Sequence, residues 1–142
     1  MQDVTIYIET SIHGPSRKDG EYLYLLECMR NGTPITRDGR GKLEKATENQ
    51  LAMTALLEAL KRLTCPCAVV VYTSCAYIAS ALNNRWAEDW RQRGWIRKDG
   101  KPVKNAELWE EIMEQLDPHM YLCSTEPHSY SDWMARQINP CG

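Results

Sequence analysis

The 142-residue chain carries 17 lysines and arginines against 19 acids, for a formal net charge of −2, and is 43% apolar and 25% charged. These are the proportions of a soluble globular chain, long enough to bury a real core, so one domain over residues 1–142 is expected. No apolar run is long enough to cross a bilayer and the start, MQDVTIYIET, lacks the basic and apolar regions of an export signal, so a cytoplasmic protein without a membrane partner is expected.

In chain order, Val4 to Ile8 is β-branched and apolar and predicts a buried strand ending at Glu9. Thr10 to Gly20 reads as a loop. Glu21 to Met29 alternates as a second strand, and Asn31-Gly32 predicts a hairpin returning through a third strand from Thr33. Arg37 to Lys45, polar with two glycines, predicts a ragged edge. Thr47-Glu48-Asn49-Gln50 matches a capping box, and Leu51, Ala55, Leu56, Ala59, Leu60 and Leu63 extend the helix to Thr64. Ala68 to Tyr72 is apolar enough for a central strand, and Cys75 to Leu82 for a short helix. Asn105 is placed to cap a helix running to Leu116, whose apolar face is Leu108, Trp109, Ile112 and Leu116. His119 to Cys123 reads as a fifth strand and Ser129 to Ile138 as a last helix. Together they predict a mixed sheet, an antiparallel meander joined to parallel crossovers, covered by helices.

Six cysteines, Cys28, Cys65, Cys67, Cys75, Cys123 and Cys141, are expected to be reduced thiols, and Cys65-Pro-Cys67 lacks the second ligand pair of a zinc site. The overall charge says nothing about partners, but its distribution does. From Asn84 to Asn105, seven cations face three acids, a local +4, and they interleave with Trp86, Trp90 and Trp95. Trp86, Trp90 and Arg93 share one side of a helix. Cations beside rings suit a phosphate backbone, the charges displacing counterions and the rings packing on sugars or bases. The same spacing also suits a solvated helix whose tryptophans fill a core.

Several segments carry a resemblance to the type 1 ribonuclease H family. IYIETS at 6–11 resembles the strand ending in Asp-Gly-Ser, TENQLAMTALLEAL at 47–60 the T-N-N-x-x-E-L helix, and VVYTSCAYI at 70–78 the segment bearing T-D-S. The span 86–112 reproduces W-x3-W-x3-G-W, K-P-V-K-N and L-W, and SDWMA at 131–135 resembles the segment with the last acid. The resemblance implies an α/β fold, a ribonuclease H-like five-stranded mixed sheet with helices on both faces.

Cleavage by that fold takes two divalent ions about 4 Å apart, held by converging carboxylates. The resemblance implies four acids, and this chain keeps them unevenly. Glu9 stands for the first, one methylene longer; Ala52 and Ser74 stand where two others are lost; Asp132 keeps the fourth. Glu9 and Asp132 are thus a weak or absent metal site. Glu48, one turn before Ala52, reads as a complement to the helix dipole, or as a third ligand with Glu9 and Asp132 for one Mg²⁺ or Mn²⁺. His128 lies near the family's mobile histidine, in a shortened loop, and reads as a spectator. Restoring acids at Ala52 and Ser74 is expected to create cleavage, since both should face the cavity of Glu9 and Asp132.

The binding residues implied are better kept. Thr47 and Asn105 match positions that hold a phosphate of the DNA strand, and Asn49 one that meets the RNA strand in the minor groove. Ala76 replaces a further contact residue. Trp86, Trp90, Arg91, Arg93 and Trp95, with Lys104, correspond to the basic protrusion. The expected function is binding of RNA/DNA hybrid or another A-form-like duplex with weak or no cleavage. An active enzyme using Mg²⁺ or Mn²⁺ through Glu9, Glu48 and Asp132 is the alternative. A protein-interaction module, with a protein partner and no cofactor, is the third reading.

Overall fold

The computed structural model describes residues 1–138, and Cys141 lies outside them. The chain runs β1 (Gln2–Thr10), β2 (Lys18–Arg30), β3 (Thr33–Ala46), α1 (Glu48–Leu60), β4 (Cys67–Tyr72), α2 (Ala76–Asn83), α3 (Trp86–Gln92), α4 (Ala106–Leu116), β5 (Met120–Ser124) and α5 (Ser131–Ile138). The five strands form one sheet in the order β3-β2-β1-β4-β5, antiparallel through β1, β2 and β3 and parallel through β1, β4 and β5. The mixed sheet read from the sequence is therefore the observed one.

Local chemistry explains most of these elements. Asn31 and Gly32, at φ 52° and 78°, form the two-residue turn between β2 and β3, and Arg30 pairs with Thr33 across it. Both positions need positive φ, which Asn and Gly tolerate. The capping box is complete: Thr47 Oγ1 accepts from the Gln50 amide, and Gln50 Oε1 accepts from the Thr47 amide. α1 stops at Leu60 rather than Thr64, because Arg62 and Leu63 donate to Ala59 and Leu60 and tighten the last turn.

The ragged edge strand expected at Arg37–Lys45 is the edge of the sheet, continuous with Thr33 in one 14-residue strand whose pairing shifts register between Lys18 and Gly20. Gly39 and Gly41 pair with Tyr24 and Tyr22, whose rings lie over the bare glycines where any Cβ would collide. Tyr22 then donates to Glu58, and Arg62 donates to the Tyr24 hydroxyl. Cross-strand tyrosines, not local propensity, hold this edge.

Val4, Ile6 and Ile8 of β1, Val69 and Val71 of β4, and most of α1 fill the main core together with Ile78, Trp109 and Ile112. A smaller core on the opposite face joins Tyr7, Leu23 and Leu25 to Met134 and Ile138 of α5. Helices therefore cover both faces, and each fully buried Leu or Ile contributes roughly 1.5–3 kcal/mol. Among the described residues no helix is long and apolar enough to cross a membrane, and the five described cysteines are free thiols.

Candidate nucleic-acid interface and acidic centre

The loop after β1, the start of α1 and the approach to α4 enclose a cleft of about 630 Å³. Arg17, Thr47, Glu48, Asn49, Gln50, Tyr77, Lys104 and Asn105 line it, so four residues expected to bind nucleic acid meet there beside the Glu48 carboxylate. Arg17 and Tyr77 were not foreseen; neither sits in a periodic pattern that marks it.

Hydrogen bonds give this cleft a polarity. Asn49 Oδ1 accepts from Cys75 Sγ at 3.1 Å, and Asn105 Oδ1 accepts from Gln50 Nε2 at 3.1 Å. Both amide oxygens are spent on protein donors, which leaves both NH₂ groups for a ligand. Thr47 Oγ1 already accepts from Gln50, so its hydroxyl proton is available too. With Lys104 and Arg17 these are donors, and suit phosphate oxygens, 2′-oxygens and minor-groove acceptors. Burial pushes the Cys75 thiol pKa above its ordinary value, so it stays a protonated donor. Asn105 stands at the N-cap of α4 as expected, its carbonyl accepting from the Trp109 amide. Its backbone is left-handed, at φ 58°, without a side-chain cap bond, and its side chain turns to Gln50 instead.

A second hollow, about 330 Å³, is lined by Trp86, Trp90, Arg93, Arg97 and Lys98, with Asp89 and Asp99. Trp86 is 43% exposed. Behind it the rings of Trp90, Tyr77 and Trp109 follow one another at 5.9–6.4 Å, and Trp109 Nε1 donates to Tyr77. This ladder fixes α3 to the core while presenting Trp86. Two residues expected in the protrusion are elsewhere. Arg91 turns to the other side of α3 and makes two hydrogen bonds to Asp117, at 2.7 and 3.0 Å. Trp95, at φ 66°, packs against the main core, and its carbonyl accepts from Val103.

At the end of β1, Glu9 Oε1 accepts from the Thr10 amide and lies 3.6 Å from His13 Nε2. Glu48 Oε2 lies 3.8 Å from the other ring nitrogen of His13, while its Oε1 accepts from the Gly14 amide. One imidazole thus stands between the two carboxylates. Burial pushes the Glu9 carboxyl pKa above its ordinary value and Glu48 adds to this, against the Thr10 amide and His13. His13 was missed, being a single loop residue outside any motif.

The other acidic positions do not join this group. Ala52 does not face an open cavity: it is fully buried in the main core. Ser74 is exposed beyond β4. Asp132 is exposed in the first turn of α5, with no hydrogen bond or ion pair to Glu9 or Glu48 among the described residues. Among those residues no three His, Cys, Asp or Glu side chains could hold one metal ion. The donors present therefore do not fit a pair of divalent ions. His128 is wedged against Tyr7 and Tyr72, at ring distances of 4.4 and 5.4 Å, and its Nδ1 accepts from Tyr130. Burial lowers its pKa, so it stays neutral and holds the approach to α5 in place.

A family profile described as RNase H matches residues 1–125. The chain is 37% identical over 124 residues to a Ribonuclease H of Cupriavidus necator, covering 84% of this chain and 78% of that protein. A Ribonuclease H of Campylobacter curvus is also 37% identical, with 87% and 79% covered. Among solved structures, LC9-RNase H1, a type 1 RNase H with the type 2 active-site motif, superposes with a TM-score of 0.78 at 25% identity, over 99% of this chain and 72% of that one. LC11-RNase H1 in complex with RNA/DNA hybrid shares the fold, with a TM-score of 0.66 at 14% identity over 97% and 95% of the two chains.

Proposed function

The chain belongs to the type 1 ribonuclease H family, and from that premise we propose that it binds RNA/DNA hybrid, or another duplex of A-form shape, and cuts it weakly or not at all. The observation that carries this reading is the cleft in which the donors Asn49, Asn105 and Thr47, with Lys104 and Arg17, outnumber the one carboxylate, Glu48. A relative that shares this fold, LC11-RNase H1, is in complex with RNA/DNA hybrid, which supports the same class of ligand. Trp86 and Arg93 extend the surface with a ring and a cation, suited to the neighbouring strand.

The acidic centre supports the second half of the proposal. Hydrolysis by this fold needs carboxylates that converge on metal ions, which activate water and support the leaving oxygen when bound. Here Glu9 and Glu48 are spaced by His13, and the positions at Ala52 and Ser74 offer no carboxylate. One observation favours the active alternative: Glu48 reaches the same histidine as Glu9, so two acids share a neighbourhood.

Filter binding with hybrid, duplex DNA and duplex RNA across a salt series tests the first half. Hybrid binding that weakens steeply with salt is expected, since phosphate contacts release counterions. No hybrid binding even at low salt would leave the interaction-module reading. Incubation with Mg²⁺ and with Mn²⁺ tests the second half: metal-dependent cutting that disappears in Asp132→Asn would establish the active alternative.

A further inference from the structure

We infer that Gln50 is a positioning residue for duplex binding: it uses the helix cap to set which end of the Asn105 amide faces the ligand. The inference rests on the proposed role of Asn105 as a phosphate contact and names the residue that makes that contact possible.

The assignment follows from a chain of obligate donors. The Thr47 amide N–H can only donate, and it meets Gln50 at 3.0 Å, so the oxygen of the Gln50 side chain must be there. The Arg17 guanidinium, also only a donor, meets the same oxygen at 3.3 Å. Gln50 Nε2 is then left as the donor on the far side, and it meets Asn105 at 3.1 Å. Asn105 must answer with Oδ1, so its Nδ2 turns away from Gln50 toward the cleft. Among the described residues Nδ2 has no protein partner, as a group kept for an anionic oxygen requires. The backbone helps: Asn105 is left-handed at φ 58°, a conformation asparagine tolerates, which holds its side chain off α4 and within reach of Gln50.

The cap thus does two jobs at once. It closes the first turn of α1 and transmits the direction of one backbone N–H, through two side-chain amides, to the cleft wall. Glutamate would do the first job equally well, because it accepts from an N-cap amide. It would reverse the second, since a carboxylate offers Asn105 an acceptor, draws Nδ2 inward and turns Oδ1 toward the phosphate.

Gln50→Glu, Asn105→Ala and the double variant decide this by hybrid filter binding at several salt concentrations. Gln50→Glu is expected to lower affinity about tenfold or more in the natural background, the scale of a lost hydrogen bond to a charged group. In the Asn105→Ala background it should cost markedly less, leaving only the general effect of one added negative charge. Thermal unfolding of Gln50→Glu is expected at or above that of the natural protein. In ¹H–¹⁵N spectra of the free protein, the Asn105 side-chain NH₂ signals should shift in Gln50→Glu as Nδ2 engages the new carboxylate. Equal losses in both backgrounds, or no loss in either, would overturn the inference. If the natural protein binds no hybrid, the role in binding falls with the functional reading. Unmoved Asn105 signals would separately overturn the relay itself.

Discussion

Placing a carboxylate at Ala52 tests whether the acidic centre is open or closed. The Ala52 side chain is 0% exposed and belongs to the main core, whereas Ser74 is exposed. A carboxyl fully buried without partners has its pKa raised by roughly 3–5 units. At about 1.4 kcal/mol per unit, Ala52→Glu should cost roughly 4–7 kcal/mol once solvent pH exceeds the raised value. Overpacking adds about 1–3 kcal/mol independent of pH. Against a total stability of about 5–15 kcal/mol this is severe, whereas Ser74→Asp should fall within about 0.5 kcal/mol. The sign with pH follows from linkage. The folded state holds the proton at the new carboxyl over a window in which the unfolded chain has released it, so stability falls as pH rises through that window. Urea unfolding at pH 5 and pH 8 therefore should show Ala52→Glu far weaker at pH 8, and Ser74→Asp near the natural protein at both. If Ala52→Glu were as stable as the natural protein at pH 8, the site would be an open cavity, and the buried placement of Ala52 would be refuted.

Other substitutions separate orientation from charge. Cys75→Ala should free the Asn49 amide to rotate and lower hybrid affinity about fivefold, the scale of one ordinary hydrogen bond, while Cys75→Ser restores the donor and the affinity in the same filter assay. Glu9→Gln should raise the unfolding temperature at neutral pH. The folded-state pKa of Glu9 lies above its ordinary 4.5, so its ionisation opposes folding above that range, and the gain should vanish in scans taken below it. Arg93→Ala should weaken hybrid binding and reduce the salt slope by about one, whereas Arg91→Ala, whose guanidinium is held by Asp117, should leave both nearly unchanged.

Where one residue type dictates a local geometry, the sequence was legible. Asn31-Gly32 allows a turn with two positive φ values, and Thr47 with Gln50 closes a cap; both stand where the pattern put them. Where geometry depends on a partner distant in sequence, it was not. Gly39 and Gly41 look like strand breakers until Tyr24 and Tyr22 are known to lie across them. Arg91 looks like a member of a basic patch until Asp117, 26 residues on, is known to claim it. The candidate site divides the same way. Residues of the cleft were legible through motif resemblance, but His13 carries no pattern, and the second role of Gln50 is hidden behind its first. Ala52 shows the converse, a motif position whose loss was readable while its full burial in the main core was not.

The loss of acids also changes what binding itself requires. A phosphate within about 5 Å of a carboxylate is repelled by roughly 3 kcal/mol at an effective dielectric near 20, so four carboxylates around a scissile phosphate oppose binding unless metal ions reverse the field. In this chain Ala52 and Ser74 contribute no charge, Asp132 stands outside the group, the Glu9 and Glu48 carboxylates both face His13, and of the two only Glu48 lines the cleft. On the proposed reading a phosphate in the cleft would meet one carboxylate, Glu48, against Lys104, Arg17 and the amide NH₂ groups, and would need no ion to make the field favourable. Hybrid affinity, measured by filter binding at matched ionic strength, should therefore change less than about twofold when Mg²⁺ is replaced by a chelator, well under the tenfold that corresponds to 1.4 kcal/mol. A loss of tenfold or more on chelation would mean that an ion bridges protein and phosphate, which requires Glu9, Glu48 and Asp132 to converge when the duplex is present.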